Sequence, residues 1–294
     1  MLNYPAAAVT YGFLTLSIIA LWIPSYVSSL PKTLGLWIIP FIVSLGIGLS
    51  AGFVHLPALL PITILGLACY FFSVKPSRAI RALAGAVIVL LSIGLLAHIV
   101  PGFSNFKVIS DAIISTGGIA YTKYLNYDKA LVGLFILAFC HPLLTTKEQW
   151  VAMLRTAAPL AFAVICVVIL LGLMMGYVRW EVKFPPQFYV WAWPNLFFTC
   201  VAEEALFRGF LQRHLQGSLK GISYGGILGL VLASVLFGLA HYAGGVSYII
   251  LATVAGLGYG WIYQRTKSIE SSILTHFTLN AVHFVFFTYP ALRR

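Results

Sequence analysis

The sequence predicts an all-α membrane protein, a polytopic transmembrane helical bundle of about ten helices around a water-accessible intramembrane cavity. Three observations lead there. Hydrophobic residues make up 61% of the 294 and charged residues 9%, with a mean hydropathy of +0.96, whereas a soluble domain carries about 25% charged residues. Lys and Arg stand singly or in small groups at the ends of apolar runs, as membrane-edge anchors do. Glu203, Glu204 and Arg208 lie together inside one such run. A charge at the bilayer centre costs about 2.5–3.5 kcal/mol on insertion scales, so this group needs partners.

Apolar runs of about 17–25 residues, long enough to cross a hydrocarbon core, fall at 6–24, 35–53, 56–74, 82–100, 129–145, 156–177, 190–213, 225–243, 246–264 and 271–289. Gly52 to Pro57 divides the second from the third, and Gly244-Gly245 the eighth from the ninth. Met1-Leu2-Asn3-Tyr4-Pro5 has no cation ahead of its apolar run, so the first span is expected to be retained and not cleaved as a signal peptide. Pro101 to Asp128 is expected to be the one sizeable loop, capping a face of the bundle or lying along the interface.

With the N-terminus outside, the inner loops hold Lys32, Lys75, Arg78, Arg81, Lys147, Arg155, Arg213, Lys220, Arg265 and Lys267. The outer side holds Lys107, Lys123, Lys129, Arg179, Lys183, Arg293 and Arg294. Ten against seven favours this orientation, with both termini outside. The net charge of +11 does not imply nucleic acid, because no basic stripe with interleaved aromatics is present. Cys69, Cys140, Cys166 and Cys200 all fall in apolar runs without metal-knot spacing and read as small buried hydrophobes. His55, His98 and His141 read as hydrogen-bonded structural histidines.

Of seven acidic residues, Asp111, Asp128, Glu148, Glu181 and Glu270 read as loop or membrane-edge positions. That leaves Glu203 and Glu204. Glu204 and Arg208 are four apart on one helix face and can pair. Glu203 points about 100° away and stays available to another helix. Phe237 and His241 share the same spacing on the eighth run. His276 and Asn280 share it on the tenth, with His283 a further turn along. A desolvated glutamate can take a proton from water, a histidine can share that water or protonate a leaving amine, and His with Asn can donate to an oxyanion. The inventory suits amide hydrolysis, and it also suits proton relays and ion pathways.

Glu-Glu-x-x-x-Arg at Glu203, Glu204 and Arg208, Phe-x-x-x-His at Phe237 and His241, and His-x-x-x-Asn at His276 and Asn280 resemble the three ordered motifs of the CPBP family, the CAAX-protease and bacteriocin-processing intramembrane glutamic endopeptidases. The resemblance covers roughly 185–290. It implies Glu203 as general base on the attacking water, His241 sharing that water, and His276 with Asn280 stabilising the oxyanion. Glu204, Arg208 and Phe237 would support them. It implies a membrane-anchored or lipidated peptide or protein as substrate, in a multi-pass protein of a prokaryotic plasma membrane. It leaves two mechanisms: metal-free, or with a metal at Glu203, His241 and His276. The sequence has no HExxH helix, so the metal-free reading, with no cofactor, is preferred. Residues 185–294 are then the catalytic core, and 1–184 supply further helices as scaffold or substrate groove. The competing reading is a non-catalytic transporter or immunity-type scaffold that kept the motifs; completeness of all three motifs favours the enzyme.

The expected helices raise one geometric difficulty. His241 falls near the far end of the eighth helix and His276 near the start of the tenth, depths about 15 Å or more apart. Either the Gly-rich stretch from Gly217 to Gly229 is largely loop, or these helices are broken or steeply tilted.

Overall fold

A computed structural model describes residues 4–23, 35–74 and 77–293. The expectations for Met1 to Asn3, Lys32, Lys75 and Arg294 lie outside these. The chain is mainly helical: α1 Tyr4–Ala20, α2 Ile38–Ser50, α3 Leu59–Ser73, α4 Arg78–Leu96, α5 Tyr127–Cys140, α6 Lys147–Met174, α7 Phe188–Pro194, α8 Val201–Glu204, α9 Arg213–Ser218, α10 Gly225–Leu239, α11 Gly245–Thr266 and α12 Ile269–Phe286. Each apolar run contains helix. By length and composition, four described helical segments suffice to cross a membrane: Leu56–Ser73, Arg78–Leu96, Lys147–Met174 and Tyr242–Thr266. The expected Pro101–Asp128 loop instead contains a two-stranded sheet, β1 Phe106–Ala112 and β2 Tyr121–Leu125.

Contacts divide the chain into two compact units. The first comprises Met1–Lys107, Tyr124–Thr145 and Phe197–Gly209; the second comprises Val108–Lys123, Thr146–Leu196 and Phe210–Arg294.

In the first unit α5 is the central element. Ala130 to Leu137 are buried without interruption, so the helix is apolar all round, as a helix inside a bundle must be. It packs against α1, α3, α4 and α8. Gly133 permits the last of these contacts: a Cβ there would meet Val201 Cγ1 at 2.9 Å and the Ala202 backbone at 3.1 Å. Buried hydroxyls find backbone acceptors, as the bilayer interior requires: Ser44 Oγ donates to Thr10 O at 2.7 Å and Ser17 Oγ to Trp37 O at 2.8 Å.

In the second unit α11 packs on α6, α10 and α12. Small residues set these approaches, which is how membrane helices gain close packing. A Cβ at Gly238 of α10 would fall 1.9 Å from Thr253 Oγ1, and one at Gly258 of α11 would fall 2.4 Å from Val164 Cγ1 of α6. A satellite core gathers Ile109, Ile114, Trp191, Phe284 and Tyr289. Trp191 stacks on Phe284 with ring centres 4.3 Å apart and donates from Nε1 to Tyr289 Oη at 2.9 Å.

Two expectations about acids are corrected. Asp128 and Glu270, read as edge positions, are buried. Asp128 Oδ2 lies 2.7 Å from His98 Nδ1 and its Oδ1 accepts from Asn105 Nδ2 at 3.0 Å. Glu270 accepts from Ser268 Oγ at 2.7 Å. Each carboxylate is at the start of a helix, where the exposed backbone N–H groups favour negative charge, so an apparent edge becomes an interior position. His55, His98 and His141 are hydrogen-bonded, to Ser104, to Asp128 and to the Pro142 carbonyl.

Candidate active site

The run expected as a single helix at 190–213 is helical from Phe188 to Ser218 but not uniformly α. Asn195–Cys200 and Ala205–Gln212 are π-helical, so α8 is one α-turn between two π stretches. Such stretches are uncommon and concentrate at functional positions. The single α-turn carries Glu203 and Glu204, both buried, and Arg208 follows in the second π stretch with no exposure.

Arg208 Nη1 donates to Glu204 Oε1 at 3.0 Å, the expected pairing. Glu203 is not left open as expected: its Oε1 accepts from Lys129 Nζ at 2.7 Å. Lys129, assigned by charge placement to an outer edge, lies one turn before Gly133 on α5. The α5 and α8 backbones touch at Gly133, and this carries the ammonium to the carboxylate. Each carboxylate on α8 therefore has a cation of its own. Lys129 was missed because it opens an apolar run, where a lysine ordinarily marks the membrane edge.

In the second unit, α10 ends at Leu239, so His241 stands beyond the helix at the start of a 3₁₀ turn, Tyr242–Gly244, and not within it as expected. The four-residue spacing still brings His241 back to Phe237: Nδ1 donates to the Phe237 carbonyl at 2.7 Å. Because a carbonyl only accepts, the neutral ring then carries its lone pair on Nε2. Phe237 is also in edge contact with His276, ring centres 5.8 Å apart, and His276 stacks on Tyr259 of α11 at 4.9 Å. The expected mismatch in depth is resolved by short elements. Residues 219–224 are turn, α10 has 15 residues, and His276 lies two turns into α12, so Phe237 and His276 meet.

Asn280 follows one turn after His276 and donates from Nδ2 to Asn195 Oδ1 at 3.3 Å. Asn195 opens the first π stretch and was not singled out from the sequence, although an Asn inside Trp193-Pro194-Asn195-Leu196 stands out in so apolar a run. Gly244 makes room for Tyr248, whose ring lies 5.2 Å from His241.

His241, His276, Asn280 and His283, with Phe237, Tyr248 and Tyr259, line a cavity of about 70 Å³. A water needs about 10–15 Å³ of such space, so a few waters fit among three imidazoles and an amide. The second unit thus gathers His241, His276, Asn280 and Phe237, and the first gathers Glu203, Glu204 and Arg208 around Lys129. Within each unit taken by itself, no three His, Cys, Asp or Glu side chains among the described residues stand together as a metal centre needs.

The helices and side chains define an integral membrane protein with a buried carboxylate pair and a histidine–asparagine cavity. Residues 185–282 match the family described as type II CAAX prenyl endopeptidase Rce1-like, in agreement with the CPBP resemblance of the three motifs. The match spans Glu203 through Asn280 and points to an intramembrane protease. No curated protein and no solved structure matches the chain.

Proposed function

We propose that the protein is an intramembrane glutamic endopeptidase, hydrolysing a peptide bond of a membrane-anchored or lipidated peptide or protein. The observation that carries this is the family match over 185–282, which includes every residue of the three motifs. Glu203 takes a proton from the attacking water, and the new C–O bond forms as the carbonyl π electrons move to oxygen. His276 and Asn280 donate hydrogen bonds to that oxyanion. His241, its Nδ1 fixed on the Phe237 carbonyl, presents Nε2 to the same water. The proton passes to the leaving amine as the C–N bond breaks. Glu204, paired with Arg208, holds the α8 turn in place.

Residues 185–294 form the catalytic core of this reading, and 1–184 contribute more than scaffold, since Lys129 grips the general base. The setting is a bundle of about ten membrane helices, multi-pass in a prokaryotic plasma membrane, with water reaching the site. The test is cleavage of a quenched membrane-peptide library by purified wild type and Glu203→Gln, each with and without chelator. The amide is nearly isosteric but is no base, so the variant should lose about 10²–10⁴-fold in rate, and chelator should change nothing. Normal cleavage by Glu203→Gln would overturn the assignment.

A further inference from the structure

A groove of the second unit lies away from the candidate site. It has a volume of about 840 Å³ and runs between α6, α10 and α11. That is within the span of about 300–1,000 Å³ typical of ligand sites. Its walls are aliphatic, with Val164 and Val167 from α6, Ile227 and Val231 from α10, and Val254 and Leu257 from α11. Its floor is the contact of Gly258 with Val164, where no side chain rises to fill it.

One end is different in kind. Gln264, Arg265 and Lys267 close it, with Trp261, 46% exposed, alongside. Arg265 and Lys267 are exposed, no carboxylate lines the groove, and neither cation takes part in an ion pair among the described residues. Glu270, the nearest acid in sequence, is buried on Ser268. Basic residues at a helix C-terminus interact with its dipole in any case. What that does not account for is an unfilled aliphatic groove beneath two uncompensated cations.

We propose that this groove binds an anionic phospholipid. Its acyl chain lies along the aliphatic walls, and its phosphate is held by Arg265 and Lys267 with Gln264 donating. A zwitterionic headgroup brings its own cation to the phosphate and leaves the two side chains uncompensated; an anionic one does not. Lys and Arg placement assigns this end to the inner side, where anionic lipids supply the surface charge. Trp261 at the rim is in the headgroup region, as interfacial tryptophans are.

The test is native mass spectrometry of the full-length protein released from nanodiscs of equimolar phosphatidylglycerol and phosphatidylcholine. Wild type should retain phosphatidylglycerol in preference by about tenfold or more. Arg265→Gln/Lys267→Gln should retain lipid without that preference, and Leu257→Trp, which fills the groove, should lose bound lipid of both kinds. Lys220→Gln, removing another cation assigned to the inner side, should behave as wild type. If the double variant fails to fold, salt serves instead: raising ionic strength from about 0.1 to 1 M shortens the screening length from about 10 to 3 Å and should abolish the wild-type preference. Equal retention of the two lipids by wild type, or a preference that survives the folded double variant or, where that variant does not fold, high salt, would overturn the proposal.

Discussion

Lys129 Nζ lies 2.7 Å from Glu203 Oε1, joining the first turn of α5 to the α8 turn across 74 positions of sequence. Both side chains are largely buried, with exposures of 15% and 8%. Removing one partner of a buried pair leaves the other charge uncompensated, at a cost of about 3–5 kcal/mol. Lys129→Met should therefore lower the thermal midpoint in detergent, and Lys129→Met/Glu203→Gln should recover most of the loss. A double-mutant cycle reads the coupling directly; a value under about 0.5 kcal/mol would mean that the contact contributes nothing.

The pair on the neighbouring carboxylate predicts a different pattern. Arg208 has no exposure and holds Glu204 at 3.0 Å. Arg208→Ala should cost about 3–5 kcal/mol and abolish cleavage with it. Wild-type stability in that variant, measured by thermal denaturation, would contradict a clamping role.

His276 and Asn280 separate packing from hydrogen bonding. His276→Phe keeps a ring to stack on Tyr259, so the fold should survive while cleavage falls about 10²–10³-fold, the usual effect of losing an oxyanion donor. Asn280→Ala should fall comparably, and Asn195→Ala less, since Asn195 acts by accepting from the Asn280 amide. Single-turnover rates on a cleaved peptide check the order. An Asn195→Ala defect larger than that of Asn280→Ala would reverse the roles.

Gly133 tests the close approach that delivers Lys129. A methyl group there is 2.9 Å from Val201 Cγ1 and 3.1 Å from the Ala202 backbone, so Gly133→Ala pushes α5 off α8 at a cost of about 1–3 kcal/mol. Gly46→Ala in α2 meets nothing within 4 Å and should be neutral or stabilising by about 0.5–1 kcal/mol. Parallel melting curves compare the two; equal effects would dismiss the approach as a constraint.

The candidate site residues are easier to read from the sequence than their surroundings. Glu204 with Arg208 and Phe237 with His241 follow from helical spacing alone, because residues four apart share a face. Lys129 and Asn195 belong to pairings between distant segments, and no periodicity encodes those. The π stretches were hidden although Pro194 precedes the first and Gly209 lies inside the second, because a Pro or Gly in a helical run marks a kink or a close approach as readily as a change of winding. Asp128 and Glu270 misled for the opposite reason: a charge beside an apolar run has the same appearance whether its helix end is wet or enclosed.

The order in which the first unit is synthesised follows from its segments. Its last part, Phe197–Gly209, leaves the ribosome after all of α6. At roughly 5–20 residues per second, Lys129 precedes Glu203 by about 4–15 s. During biogenesis, then, the Lys129 ammonium has no Glu203 to pair with until the carboxylate turn has been made. A nascent chain halted before Phe197 lacks the last segment of this unit, so the buried ion pair can form only once the α8 turn has been added.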